Sequence, residues 1–127
     1  MAVYAHVTDR TGRLLLLRCG MTREWVLPGG DAGPYESEAD AAAYHVRRIL
    51  HLALPPGEKR AVVDGDTLVD CGALSPEQAS RIELPARRAG QAEPEFTTLR
   101  FVPPSALPYP MPSGQRRLLT ESRRCAV

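Results

Sequence analysis

Lysine is almost missing from this chain: of its 16 basic residues, all but Lys59 are arginine. With alanine abundant and 12 prolines, that bias is the composition expected of a GC-rich bacterial genome. An excess of either charge is missing as well. A net charge of +1 supplies no overall field for nucleic acid or an acidic membrane surface, so neither partner is expected. No apolar run approaches the roughly 20 residues of a membrane-spanning helix, since even Leu14 to Leu17 is far too short. Nor does the N-terminus carry a basic segment followed by an apolar stretch, so a cytoplasmic location is the expectation. The 3 cysteines (Cys19, Cys71, Cys125) are odd in number and show no metal-ligand spacing. They read as free thiols in a reducing compartment. There is no Gly-rich P-loop, no Ser/His/Asp order, no zinc motif and no internal repeat.

What is present describes one globular domain. The chain has 127 residues, 43% hydrophobic and 24% charged, enough for a core of its own. Ala2 to Val7 and Arg13 to Cys19 read as strands around the turn residues Asp9-Arg10-Thr11-Gly12, with a short third strand over Glu24 to Leu27. A helix is expected after Glu36. Ser37 is its N-cap, and Ala42, Val46, Ile49, Leu50 and Ala53 form an apolar stripe ended by Pro55-Pro56-Gly57. Arg60 to Val63 and Thr67 to Cys71 form a hairpin about Asp64-Gly65-Asp66, and Ser75-Pro76 opens a short helical turn. Residues 85 to 95 are a polar loop and Phe96 to Val102 a last strand. A proline-rich stretch then leads to a terminal helix over Gln115 to Thr120, capped by Ser113. The domain is placed at 1–121, with 122–127 as a flexible tail.

The most informative segment is Trp25-Val26-Leu27-Pro28-Gly29-Gly30, then five residues, then Glu36, then the helix. It resembles the opening of the Nudix box, which reads Gly, five residues, Glu, seven residues, Arg-Glu-aliphatic-any-Glu-Glu-any-Gly. Arg100 to Leu107, with its Phe-Val-Pro centre, resembles the family's segment before its final helix. The resemblance implies an α/β fold, a Nudix-like α/β/α sandwich with a mixed sheet and a loop-helix box. Counted from Gly30, the second half of the box here is Tyr44-His45-Val46-Arg47-Arg48-Ile49-Leu50-His51. His45, Arg48 and Ile49 stand at the three glutamate positions. Family hydrolases use Mg²⁺ to neutralise a pyrophosphate and activate water, and Mg²⁺ needs hard oxygen ligands. An imidazole, a guanidinium and an isoleucine supply none, so no metal and no cofactor are expected.

Two readings follow. In one, positive charge has moved from metal to protein, and the cleft takes a small anionic or phosphorylated metabolite. Arg48 is then the anion anchor and His45 the acid or base of a step other than pyrophosphate hydrolysis. In the other, the helix is scaffold and the protein a ligand-binding or regulatory domain. Residual Mg²⁺-dependent hydrolysis through Glu36, Glu38 and Glu95 is a third alternative. Glu95 is the candidate residual general base, and Arg87 a candidate substrate contact from the same loop. Trp25 is core or cleft wall. Gly29 and Gly30 serve the tight turn or approach the ligand with their backbone. Glu36 ties the loop to the helix N-terminus, while Glu38 and Asp40 are first-turn charges. His51 belongs to a solvated outer face with Tyr44 and Arg47, and alternation leaves open which way His6 points. A homodimer is the assembly the resemblance suggests.

Overall fold

The computed structural model describes residues 1–125, the side chain of Cys125 excepted. Its elements are β1 (Ala2–Thr8), β2 (Leu14–Cys19), β3 (Trp25–Val26), β4 (Gly29–Asp31), α1 (Glu38–Leu50), β5 (Lys59–Val63), β6 (Asp66–Ala73), α2 (Pro76–Ser80), β7 (Phe96–Val102) and α3 (Ser113–Cys125). The strands form one mixed sheet in the order β3-β2-β1-β6-β5, with β4 also beside β1 and β7 beside β2. The β1–β6 pair is parallel and the others are antiparallel. α1 packs on one face against β1, β4 and β6, and α3 on the other against β5 and β6. The α/β/α sandwich implied by the resemblance is therefore the observed architecture. No described helix is long and apolar enough to cross a membrane.

Side-chain alternation builds both cores. Val3, Ala5 and Val7 of β1 join Leu15 and Leu17 of β2 and Val46, Ile49 and Leu50 of α1 in one cluster. Leu14 and Leu16 face the opposite way and meet Leu68, Leu118 and Leu119 under α3. Covered on both faces, β2 reads as a continuous leucine run instead of an alternating strand. Full burial of an Ile or Leu side chain is worth about 2 kcal/mol, so the α1 stripe alone fixes that helix on the sheet.

Local chemistry sets the turns. The Asp9 carboxylate accepts the amides of Thr11 and Arg13 at 2.9 and 3.0 Å. Asp64 and Gly65 both take positive φ (52° and 85°), the geometry a two-residue hairpin prefers. Ser37 accepts the Asp40 amide at 3.0 Å, and Ser75 with Gln78 completes a capping box at α2.

Several boundaries depart from expectation. The glycine pair does not only end β3, because Gly29 and Gly30 run on as β4, paired with Tyr4 and Val3 of β1. α1 stops at Leu50, so Ala53 is exposed and lies off the stripe. His51 is the left-handed cap (φ 56°), donating its N–H to the Arg47 carbonyl at 3.0 Å. It thus does at a strained φ what a glycine would do freely. It is exposed with Tyr44 and Arg47, as expected, while its Nδ1 also contacts the Glu83 carbonyl. The terminal helix extends past Thr120 to Cys125, with Ser122 buried, so 122–125 are helix and not tail. Residues 126 and 127 lie outside the described residues.

Candidate functional site

The box loop is held by its own polar groups. Glu36 accepts the Gly33 amide at 3.0 Å, closing the loop just before the Ser37 cap. Gly29 and Gly30 of β4 are drawn so close to their neighbours that a side chain is excluded at either position. A Cβ on Gly29 would overlap the Val3 carbonyl, and one on Gly30 would lie 2.6 Å from His45 Cε1. Both glycines are thus explained by packing against β1 and α1.

His45 lies beneath that loop. It is 7% exposed, and Nε2 is 2.9 Å from the Asp31 carbonyl. Because a carbonyl only accepts, the proton sits on Nε2. Nδ1 is then a buried acceptor with no partner among the described residues. The imidazole expected to serve as acid or base is instead wedged between α1 and β4.

One turn further along α1, Arg48 Nη1 lies 3.1 Å from Glu95 Oε2 and 3.4 Å from Oε1. The anion anchor and the candidate base of the sequence reading are thus each other's partner. Ile49 is 0% exposed in the core beside them. What carries Glu95 to Arg48 is Gly20, whose amide donates to the Glu95 carbonyl at 2.9 Å. A Cβ there would overlap the Pro94 carbonyl, so only glycine lets the loop dock. Between this loop and the turn after β2 opens a cleft of about 570 Å³, lined by Cys19, Met21, Arg23, Gln91, Glu93 and Glu95. Arg23, at φ 63°, pairs with Glu93 across it at 3.5 Å. Burial pushes the Cys19 thiol up, but hydrogen bonds from Thr22 and Met21 outweigh it and leave the thiol below its ordinary value. Gly20, Met21 and Arg23 were not singled out in the sequence, where only the glycine after a strand marks them.

The remaining candidates lie elsewhere. Trp25 is buried in the cluster under α3, with the Arg100 and Arg18 guanidinium carbons 4.9 and 5.7 Å from its ring centre. It is a core residue and no cleft wall. Arg87 is exposed and donates to the Gln91 carbonyl of its own loop at 2.9 Å. Glu38 is more than a first-turn charge. It accepts the Thr67 hydroxyl and pairs with Lys59 at 3.3 Å.

Comparison with solved structures settles the architecture. A MutT protein from Methanosarcina mazei superposes with a TM-score of 0.75 at 20% identity, covering 97% of this chain and 91% of the other. An ADP-ribose pyrophosphatase from Streptococcus suis gives 0.71 at 18% identity, over 98% and 90%. The chain has the Nudix fold. A dihydroneopterin triphosphate pyrophosphohydrolase from E. coli adds 0.63 at 13% identity, over 94% and 92%. No family model matches the sequence, and no curated protein matches it. At these identities the Nudix likeness establishes the fold, and the chemistry must come from this chain's own residues.

Those residues do not fit the divalent ion of a Nudix hydrolase. Glu36, Glu38 and Glu95 are held by three different partners, and no group of three or more His, Cys, Asp or Glu suited to a metal occurs among the described residues. At the helix itself the groups on offer are a protonated nitrogen turned to a carbonyl, a guanidinium and a buried isoleucine. None is the hard oxygen ligand that Mg²⁺ requires.

Proposed function

We propose that this Nudix-fold chain binds a small anionic or phosphorylated metabolite, without a metal ion, in the cleft beside Arg48 and Glu95. The observation that carries the reading is the Arg48–Glu95 pair at 3.1 Å, a fixed cation already neutralised by an exchangeable carboxylate. The Arg48 side chain is 29% exposed and that of Glu95 42%, so the contact is open to competition. A ligand phosphate presents more acceptor oxygens to the planar guanidinium than Glu95 does and can replace it. The neighbouring Arg23–Glu93 pair offers a second exchange of the same kind across the cleft.

Binding without turnover is the favoured form of this reading, and the burial of His45 is what favours it. A proton donor must lie within hydrogen-bonding reach of the substrate. His45 is instead spent on the Asp31 carbonyl, so the acid/base role assigned to it from sequence is withdrawn. The neighbours' named substrates supply the ligands to try: ADP-ribose and dihydroneopterin triphosphate, titrated calorimetrically in EDTA, with cleavage products assayed in parallel. Saturable binding is expected. Arg48→Met should weaken it roughly tenfold to a hundredfold, the loss expected for a hydrogen bond to a charged group. Cleavage that depends on added Mg²⁺ and survives Arg48→Met would overturn the proposal.

A further inference from the structure

On the opposite face of the sheet a second cavity, of about 540 Å³, lies between the ends of β1 and β6 and the last turns of α3. None of its lining residues belongs to the cleft beside Glu95. Its walls divide by chemistry. Leu14, Leu107, Leu119 and Pro104 make an apolar side, and His6, Arg60, Asp70, Ser122 and Arg123 a polar one. This also answers which way His6 points. On β1 it alternates with the buried Ala5 and Val7 and faces this cavity.

The polar side is built around Arg60. Nε donates to Ser122 Oγ at 2.7 Å, and Nη1 to Asp70 Oδ2 at 3.2 Å, leaving Nη2 as the donor available to a guest. Asp70 is in turn committed, because its Oδ1 accepts the Gly72 amide at 2.8 Å. Burial, and the Arg60 guanidinium beside it, lower His6 to about 4, with Asp70 opposing. At neutral pH the imidazole therefore adds hydrogen bonding but no charge. With Arg60 and Asp70 cancelling, the uncompensated charge at the mouth among the described residues is that of Arg123, which donates to the Pro104 carbonyl at 3.2 Å.

We propose that this cavity is a binding site for a small monocarboxylate with an apolar body, its chain against Leu14, Leu107 and Leu119 and its carboxylate between Arg60 and Arg123. One uncompensated cation matches one negative charge. A dianionic phosphate would meet Asp70 with nothing to balance its second charge. The volume lies in the range of small-molecule pockets, and each methylene buried contributes about 0.8 kcal/mol. The site is independent of the cleft, so either assignment can fail without the other.

Octanoate and 1-octanol are the probes, titrated into the uniformly ¹⁵N-labelled protein and followed by amide shifts. Octanoate should give saturable shifts centred on His6, Gly72, Ser122 and Arg123, at lower concentration than octanol. Arg123 is exposed, so Arg123→Gln should leave the fold intact. It should weaken octanoate about threefold to fivefold, the scale of an exposed ion pair, and leave octanol unchanged. Shifts that scatter over the surface, centre on Gly20 and Glu95, or fail to saturate before the solubility limit would overturn the assignment. So would equal octanoate affinity in Arg123→Gln.

Discussion

A single methyl group at Gly30 tests whether α1 and the box loop are interlocked through His45. An alanine Cβ there would sit 2.6, 2.9 and 3.0 Å from Cε1, Nε2 and Nδ1 of His45. Gly30 does not have a positive φ, so the alanine backbone itself is unstrained and the cost is steric. The ring has little room to retreat, because it is 7% exposed and bonded to the Asp31 carbonyl at 2.9 Å. Overpacking of this kind costs about 1–3 kcal/mol, and losing the hydrogen bond about 1 more. The lower entropy of the unfolded alanine chain returns about 0.4–1. Gly30→Ala should therefore destabilise by roughly 2–3 kcal/mol. His45→Ala alone should cost on the order of 2 kcal/mol through the cavity it leaves. The double variant, its methyl in the space of the missing ring, should cost less than the sum by about 2 kcal/mol. Urea unfolding followed through the buried Trp25, the only tryptophan, measures all four proteins. The reasoning is refuted if Gly30→Ala lies within about 0.5 kcal/mol of the parent, or if the two substitutions add.

Acid should weaken the protein in a window set by His6. Its folded-state value of about 4 lies below the ordinary 6.5, so the unfolded chain takes up the proton first. Stability present above pH 6.5 is then lost as pH falls towards 4, by up to about 3 kcal/mol. His6→Gln should flatten that stretch of the pH–stability curve; an unchanged curve would contradict the placement of His6. Glu38 and Asp9, both held below their ordinary values, act further into acid in either protein. In a Cys125→Ser background, iodoacetamide at pH 8 should modify Cys19 well before Cys71. The latter is 3% exposed and pushed up to about 11, so mass spectrometry showing Cys71 modified first would reverse the argument. The Arg48–Glu95 pair, being partly exposed, should add less than about 1 kcal/mol to folding in a double-mutant cycle, which would mark it as a binding device and no staple. A larger coupling would point to structure instead.

Local chemistry was legible in the sequence and long-range partnership was not. The Asp64-Gly65 turn, the Ser37 cap and the Phe96–Val102 strand follow from residues next to one another, and the structure places them as expected. The Gly29-Gly30 strand was hidden because its pairing with Val3 and Tyr4 is a tertiary fact, and two glycines carry no β pattern. The end of α1 was misjudged because a histidine in the left-handed region leaves no compositional mark. The site shows the same division. The interest of Arg48 and Glu95 could be read directly. That the two meet across 47 positions could not, since it depends on Gly20 docking a polar loop. Nor does the spacing of His45 within the helix hint that the Gly30 backbone would lie close enough to bury its ring.

A calorimetric titration of the purified protein with Mg²⁺ goes most directly to the claim that a protein cation, Arg48, stands where Nudix hydrolases hold a divalent ion. The account predicts no saturable heat at millimolar Mg²⁺ for the protein alone. A one-site isotherm that vanishes in Glu95→Gln would contradict it, because Glu95 would then be a metal ligand and not the partner of Arg48.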